Sequence, residues 1–202
     1  CVSDSNVTTT LSNASSQVTD TATAIVANVD GISYLVNGSH RYQLPQEATL
    51  RDAFLRAFGI PETASTDATT QWINLFEQGS PIEQISVDGA GNSITVHGVE
   101  ALVGSVVMQQ GDAKKTKYVV RSDGSLSPLT DFTYGLYITG KTDEFTQPNV
   151  LSAADFQFFS NSTESAIPED WPSEELSATS GNVSACAIYN LETAGGKKPT
   201  PM

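Results

Sequence analysis

Two turns constrain this chain more than any other feature in it. Asp30-Gly31 and Asn37-Gly38 sit between short β-branched and aromatic runs. Asp-Gly and Asn-Gly suit two-residue type I′ hairpins, because both central residues there take φ > 0. The spacing predicts strands at 22–29, 32–36 and 39–44, a three-stranded antiparallel meander. Pro45, which has no N–H to give the ladder, ends it.

Two helices are expected next. In 49–58, Leu50, Phe54 and Phe58 recur on one face, with Thr49 as N-cap and Asp52 three residues on. Gly59 and Pro61 stop that helix. In 67–78, after Ser65 and Thr66, a second helix would bury Trp72, Leu75 and Phe76. Further β-branched runs at 85–87, 94–96, 102–108, 118–120 and 132–138 alternate with Gly/Asp/Asn/Ser turns. Phe156, Phe158 and Phe159 suggest another strand in 151–160, and 183–190 reads as the last one. The fold class expected is mainly β: an antiparallel sandwich or barrel-like domain with two short inserted helices. Residues 1–21 form an arm or tether and 22–192 a single β-rich domain, with a helical insert at 46–80 and an acidic loop at 161–179. Residues 193–202 are a tail. No sequence period stands out.

Charge narrows the partners. The net charge is −13, with 23 acids against 10 bases. Such a surface repels nucleic acid and anionic lipid. No Lys or Arg lies between Thr142 and Gly196, a stretch holding Asp143, Glu144, Asp155, Glu164, Glu169, Asp170, Glu174, Glu175 and Glu192. The longest apolar runs fall far short of a membrane span.

The chain begins Cys1-Val2-Ser3 and continues Ser/Thr/Asn-rich to Thr23. In this it resembles a mature bacterial lipoprotein, a class in which a signal peptide is cut before a Cys that then carries a diacylglyceryl thioether. Val2, not Asp, follows that Cys, so the resemblance implies the outer membrane. The body of the chain suggests no particular family. The alternative at Cys1 is a disulfide to Cys186, and the two exclude each other because a thioether sulfur cannot form one. Either places the protein outside the cytoplasm, extracellular or on the outer cell surface, exported by a signal peptide not present in the chain.

Chemistry is sparse. His40 and His97 are far apart, and no zinc, haem or iron–sulfur spacing occurs. No nucleophile motif is present, and many acids give no specific carboxylate pair. No catalytic or cofactor-binding residue is assigned, and the protein is expected not to be an enzyme. Asp88 and Asn92 are Ca²⁺ candidates in a Gly-rich turn that also suits a plain hairpin. Asn6, Asn13, Asn37, Asn161 and Asn182 open N-glycosylation sequons. Thr8, Thr10 and Leu11 suit an extended arm that pairs with a sheet edge, and Trp171 is either a loop anchor or a docking aromatic.

Three classes of function follow. The first expectation is an exported structural subunit of a pilus-like or matrix filament, self-associating by donor-strand addition. The alternatives are a monomeric envelope lipoprotein, as binding module or accessory subunit of a membrane complex, and a secreted carboxylate hydrolase. The membrane enters only through a lipid at Cys1.

Overall fold

The computed structural model describes residues 2–3, 6–7, 23–61 and 65–178. The chain divides into two compact units, unit 1 (1–83 with 174–202) and unit 2 (84–173). The fold is β-rich with short inserted helices, and no sheet among the described residues closes into a barrel.

Unit 1 begins with a two-stranded ribbon of β1 (Val2–Ser3) and β2 (Asn6–Val7). Its main sheet is the expected meander of β3 (Thr23–Val29), β4 (Ile32–Asn37) and β5 (His40–Gln43). Asp30 and Gly31 both take positive φ, 51° and 83°, as the first turn requires. The second turn falls one residue later than the dipeptide rule puts it. Asn37 pairs with His40, so Gly38 (φ 58°) is the first central residue, the placement a type II′ turn asks for. Asn37 instead donates Nδ2–H to the Thr23 carbonyl at 3.0 Å.

α1 (Ala48–Ala57) matches the first expected helix, although Glu47 and not Thr49 is the N-cap. The second is cut to one turn, α2 (Thr70–Ile73), whose Thr69 Oγ1 accepts the Trp72 N–H. Around that turn the backbone is extended. β6 (Ser65–Asp67) pairs parallel with β3, and β7 (Glu77–Gln78) pairs parallel with β5. An open meander has two edges of unpaired N–H and C=O groups, and these two short strands satisfy part of each. A longer helix would have left them bare. The last described strand, Ser177–Ala178, lies parallel to β3 beside its first residues.

The pleat divides the unit 1 core. Ala27, Val29 and Val36 share a face with Trp72, Ile73 and Phe76 of the α2 segment. Leu35, 0 % exposed on the opposite pleat, belongs to the other face with Val26 and Tyr42.

Unit 2 opens with a hairpin of β8 (Ser93–Val96) and β9 (Val99–Leu102), turned by His97 (φ 48°) and Gly98 (φ 89°). A second meander follows, β10 (Val106–Gln109), β11 (Lys117–Val120) and β12 (Ser125–Leu129). Residues 132–138, expected as a strand, form α3 (Asp131–Ile138). A reciprocal capping box between Thr130 and Thr133 starts this helix, with Asp131 in its first turn. α4 (Asp143–Thr146) precedes β13 (Asn149–Leu151), which pairs parallel with β10. The expected strand at 151–160 is mostly α5 (Ala153–Phe156), capped by Ser152 Oγ, followed by β14 (Ser160–Asn161) parallel to β12.

The two units therefore repeat one topology. In each, a three-stranded meander leads to a helix, then to a parallel strand on the meander's first edge. A single capped turn follows, then a parallel strand on its last edge. The segments Thr69–Phe76 (TTQWINLF) and Ser152–Phe159 (SAADFQFF) play the same part. Ile73 and Phe76 enter the unit 1 cluster as Phe156 and Phe159 enter that of unit 2. The backbone bond that closes the last edge recurs as well: Gly79 N–H to the Arg41 carbonyl at 2.9 Å, and Ser162 N–H to the Leu126 carbonyl at 2.8 Å.

Candidate interaction surface

The histidines do not converge. His40 lies in unit 1 at the start of β5, its Nδ1 3.2 Å from Ser39 Oγ and its Nε2 3.7 Å from the Glu77 carboxylate. His40 and Ser39 are half-buried and Glu77 is exposed, and the His40–Glu77 contact ties β5 to β7. His97 lies in unit 2 at the β8–β9 tip, its ring stacked at 5.5 Å on Phe158. Neither arrangement places a base beside a nucleophile in an enclosed space.

The Asp88 turn is held by backbone. Ala90 N–H donates to the Val87 carbonyl and Asn92 N–H to the Gly89 carbonyl. Among the described residues, no three His, Cys, Asp or Glu gather closely enough to hold a metal ion. Trp171 is 5 % exposed, with its backbone N–H on the Pro168 carbonyl. Asn161 is exposed on β14. Cys1, Thr8, Thr10, Leu11, Asn13, Asn182 and Cys186 lie outside the described residues, as does the side chain of Asn6.

The charge pattern on unit 2 was not anticipated. Where unit 1 joins its first two meander strands by two residues, unit 2 uses 110–116 and carries Lys114 and Lys115 there, with Lys117 opening β11. Asp112 organises the loop. Its carboxylate accepts the Thr116 N–H at 2.8 Å and the Lys114 N–H at 3.0 Å. These bonds hold the Asp112 pKa below its ordinary value, Thr116 contributing most. Lys115 takes φ 51°, and both Lys114 and Lys115 are exposed. Lys117 is engaged elsewhere, 2.7 Å from Asp131 Oδ1 and 4.8 Å from the Tyr134 ring centroid. That hydrogen bond lowers the Asp131 pKa.

Topology separates this end, where Asp112, Asp131 and Asp155 accompany the three lysines, from an acidic one. β10 finishes at the lysine loop, and β13 runs parallel to it, so α4 ahead of β13 lies toward the end where β10 starts. Asp143 and Glu144 of α4 are exposed there. The β11–β12 turn at that end holds Asp123, whose pKa is lowered by the Ser125 hydroxyl and N–H. Arg121 at this end is bonded to Glu164. Lys141, between α3 and α4, donates Nζ to the Ile85 carbonyl and lies 4.4 Å from the Tyr137 ring centroid; burial lowers its pKa. Tyr137 donates its hydroxyl to the Gly104 carbonyl at 2.7 Å, and burial pushes its pKa up to about 12. The sequence did carry a signal for the lysine loop: Lys114, Lys115 and Lys117 are three of the chain's 10 bases, within four positions.

A family model described as "Type VII secretion system ESX-1, transport TM domain B" (EccB) matches residues 3–200. Three similar solved structures are described as the periplasmic assembly from the ESX-5 inner membrane complex, an intact ESX-5 inner membrane complex, and the EccB3 dimer from the ESX-3 core complex. Their TM-scores are 0.65, 0.64 and 0.61, at 15 %, 17 % and 17 % identity over 81 %, 81 % and 79 % of this chain. At that identity the likeness is one of fold. This chain spans only 39 %, 34 % and 40 % of those chains. A search of curated proteins finds no match.

These findings correct three expectations. A pilus-like or matrix filament subunit is overturned by the match to a secretion-system component. Donor-strand addition goes with it, and the structure gives a physical reason. The outer strands β6, β7, β13 and β14 are two or three residues long, too short to template a long partner strand. Placement outside the cell or on its outer surface is overturned as well, since the matched family is described by a transport membrane domain and the similar structures belong to inner-membrane complexes.

Proposed function

Because the chain belongs to the EccB family of type VII secretion systems, we propose that it is a non-enzymatic structural subunit of an inner-membrane secretion complex. Its two β units form a part that lies outside the bilayer and associates with other copies and with the complex. The family match over residues 3–200 carries this reading. Two observations accompany it. No helix among the described residues is long and apolar enough to cross a membrane, which suits a part held beside the bilayer. The similar structures include a periplasmic assembly and a dimer. A lipid at Cys1 is a separate expectation, read from the intact mass of the exported chain.

The test is made in the native host. Membranes solubilised in mild detergent and run on blue-native gels should carry the tagged chain in a large complex. Deleting its gene should stop export of the system's substrates. A chain migrating alone, with export intact after deletion, would overturn the proposal.

A further inference from the structure

We infer that the 110–116 loop of unit 2 is a docking element for the acidic end of unit 2 in a second copy of the chain. This rests on the self-association proposed above. Four observations carry it. The loop is a place where the repeated topology departs from itself, seven residues replacing two. It is pre-ordered by Asp112, so little ordering entropy is left to lose on binding. It projects Lys114 and Lys115 outward while Asp131 restrains Lys117. The opposite end of the same unit exposes Asp143 and Glu144 and carries Asp123, and its Arg121 is already bonded to Glu164.

Two copies of such a unit, side by side and antiparallel, bring the exposed Lys114 and Lys115 of each onto the partner's acidic end. A two-fold dimer makes the contact twice and closes on itself. An anionic lipid surface fits the loop less well. Two lysines are a local attraction, whereas an extended negative plane meets the whole of a chain with net charge −13. Between two protein copies, repulsion from more distant charges is damped beyond a Debye length of about 8 Å at physiological salt.

Charge exchange in the full chain tests the inference, with dimerisation measured by sedimentation. Lys114→Glu/Lys115→Glu and Asp143→Lys/Glu144→Lys should each weaken self-association by about tenfold, the scale expected for several rim charge pairs. A mixture of the two variants should recover association, because each then meets its complement. The wild-type dimer should weaken as salt rises. Zero-length carbodiimide cross-linking of mixed light and heavy isotope-labelled chains should join Lys114 or Lys115 of one copy to Asp143 or Glu144 of another. If the wild-type chain associates but the double variants associate equally well, the inference falls and the proposed function stands. If the wild-type chain stays monomeric at all concentrations, the inference falls together with the self-association it rests on. Lysine-dependent binding to phosphatidylglycerol vesicles, without intermolecular cross-links, would also overturn it, in favour of a lipid surface.

Discussion

Ile73 and Phe76 in unit 1, and Phe156 and Phe159 in unit 2, end and follow the same kind of capped turn, yet the faces they cover are closed by different means. In unit 1 the α2 segment adds a large indole: Trp72 packs edge-on to Phe76 at 4.8 Å and is itself buried. Arg41 lies 5.9 Å from the Tyr34 ring centroid and donates to Asn74 and Gln78, tying β5 to the segment beyond α2. In unit 2 the residue in the Trp72 position is Asp155, which accepts from the Ser152 hydroxyl. The apolar cover comes from a separate hairpin whose Ile94, Val96, Val99 and Ala101 lie on one side, against the cluster of Val107, Val120, Leu126 and Phe159. Backbone pairing is common to both units because open meander edges impose the same demand. Closure of the apolar face is not, because area can be buried by one large side chain or by an added hairpin.

The sharpest test of this equivalence is to empty the shared position. Phe76→Ala and Phe159→Ala should each cost about 3–4 kcal/mol, the usual scale for removing a buried Phe. Trp72 reports on unit 1 and Trp171 on unit 2, so single-Trp backgrounds followed by fluorescence in urea can separate the two transitions. A loss under about 1 kcal/mol at either position would break the correspondence.

The next contrast concerns the turns. Gly31 and Gly124 take φ 83° and 78°. A Cβ on Gly31 meets nothing, whereas one on Gly124 would stand 2.8 Å from Val96 Cγ2 of the covering hairpin. Gly31→Ala should cost about 1 kcal/mol from backbone conformation alone. Gly124→Ala should cost about 2–3 kcal/mol, the excess falling away in a Val96→Ala background. Equal costs in the two turns would show that the hairpin does not press on the sheet. Urea melts of the four variants decide it.

The smallest effect is the response to acid. Asp112, Asp123 and Asp131, all in unit 2, have folded pKa values below the ordinary 3.8. A lowered folded pKa means that the ionised form favours the fold. Its contribution is present above the unfolded value and is lost as pH falls through the folded one. Below about pH 4 the Lys114, Thr116 and Ser125 amides, which donate to these carboxylates, should therefore lose protection from hydrogen exchange before the amides at the unit 1 turns. Simultaneous loss in both units would remove this difference.

The meander of unit 1 was readable because its turns are local: Asp30, Gly31 and Gly38 supply the φ values the chain needs to reverse. α1 was readable from its own spacing of Leu50, Phe54 and Phe58. β12 was not, since Ser125–Leu129 contains Pro128 and has too little β-branched character to announce itself, and it forms because β11 presents an edge to it. α3 was misread as a strand because Phe132–Ile138 is aromatic and β-branched. The cap at Thr130 outweighed that composition. The lysine loop of unit 2 was visible as three close lysines. Its acidic counterpart was not distinguishable from the long base-free stretch around it, because only the parallel pairing of β13 with β10 puts α4 at the other end of the sheet.

By itself the sequence determined the β-rich class, the position of the first meander and of α1, and the acidity of the surface. All of these depend on interactions between residues a few positions apart, or on composition. Tertiary structure alone decided that the same topology occurs twice. The edge strands β6, β7, β13 and β14 are too short to carry a pattern, and their place is set by which meander edge lacks a partner. That demand is met by backbone groups, which every residue but proline carries alike, so it leaves almost no mark in the letters of the chain.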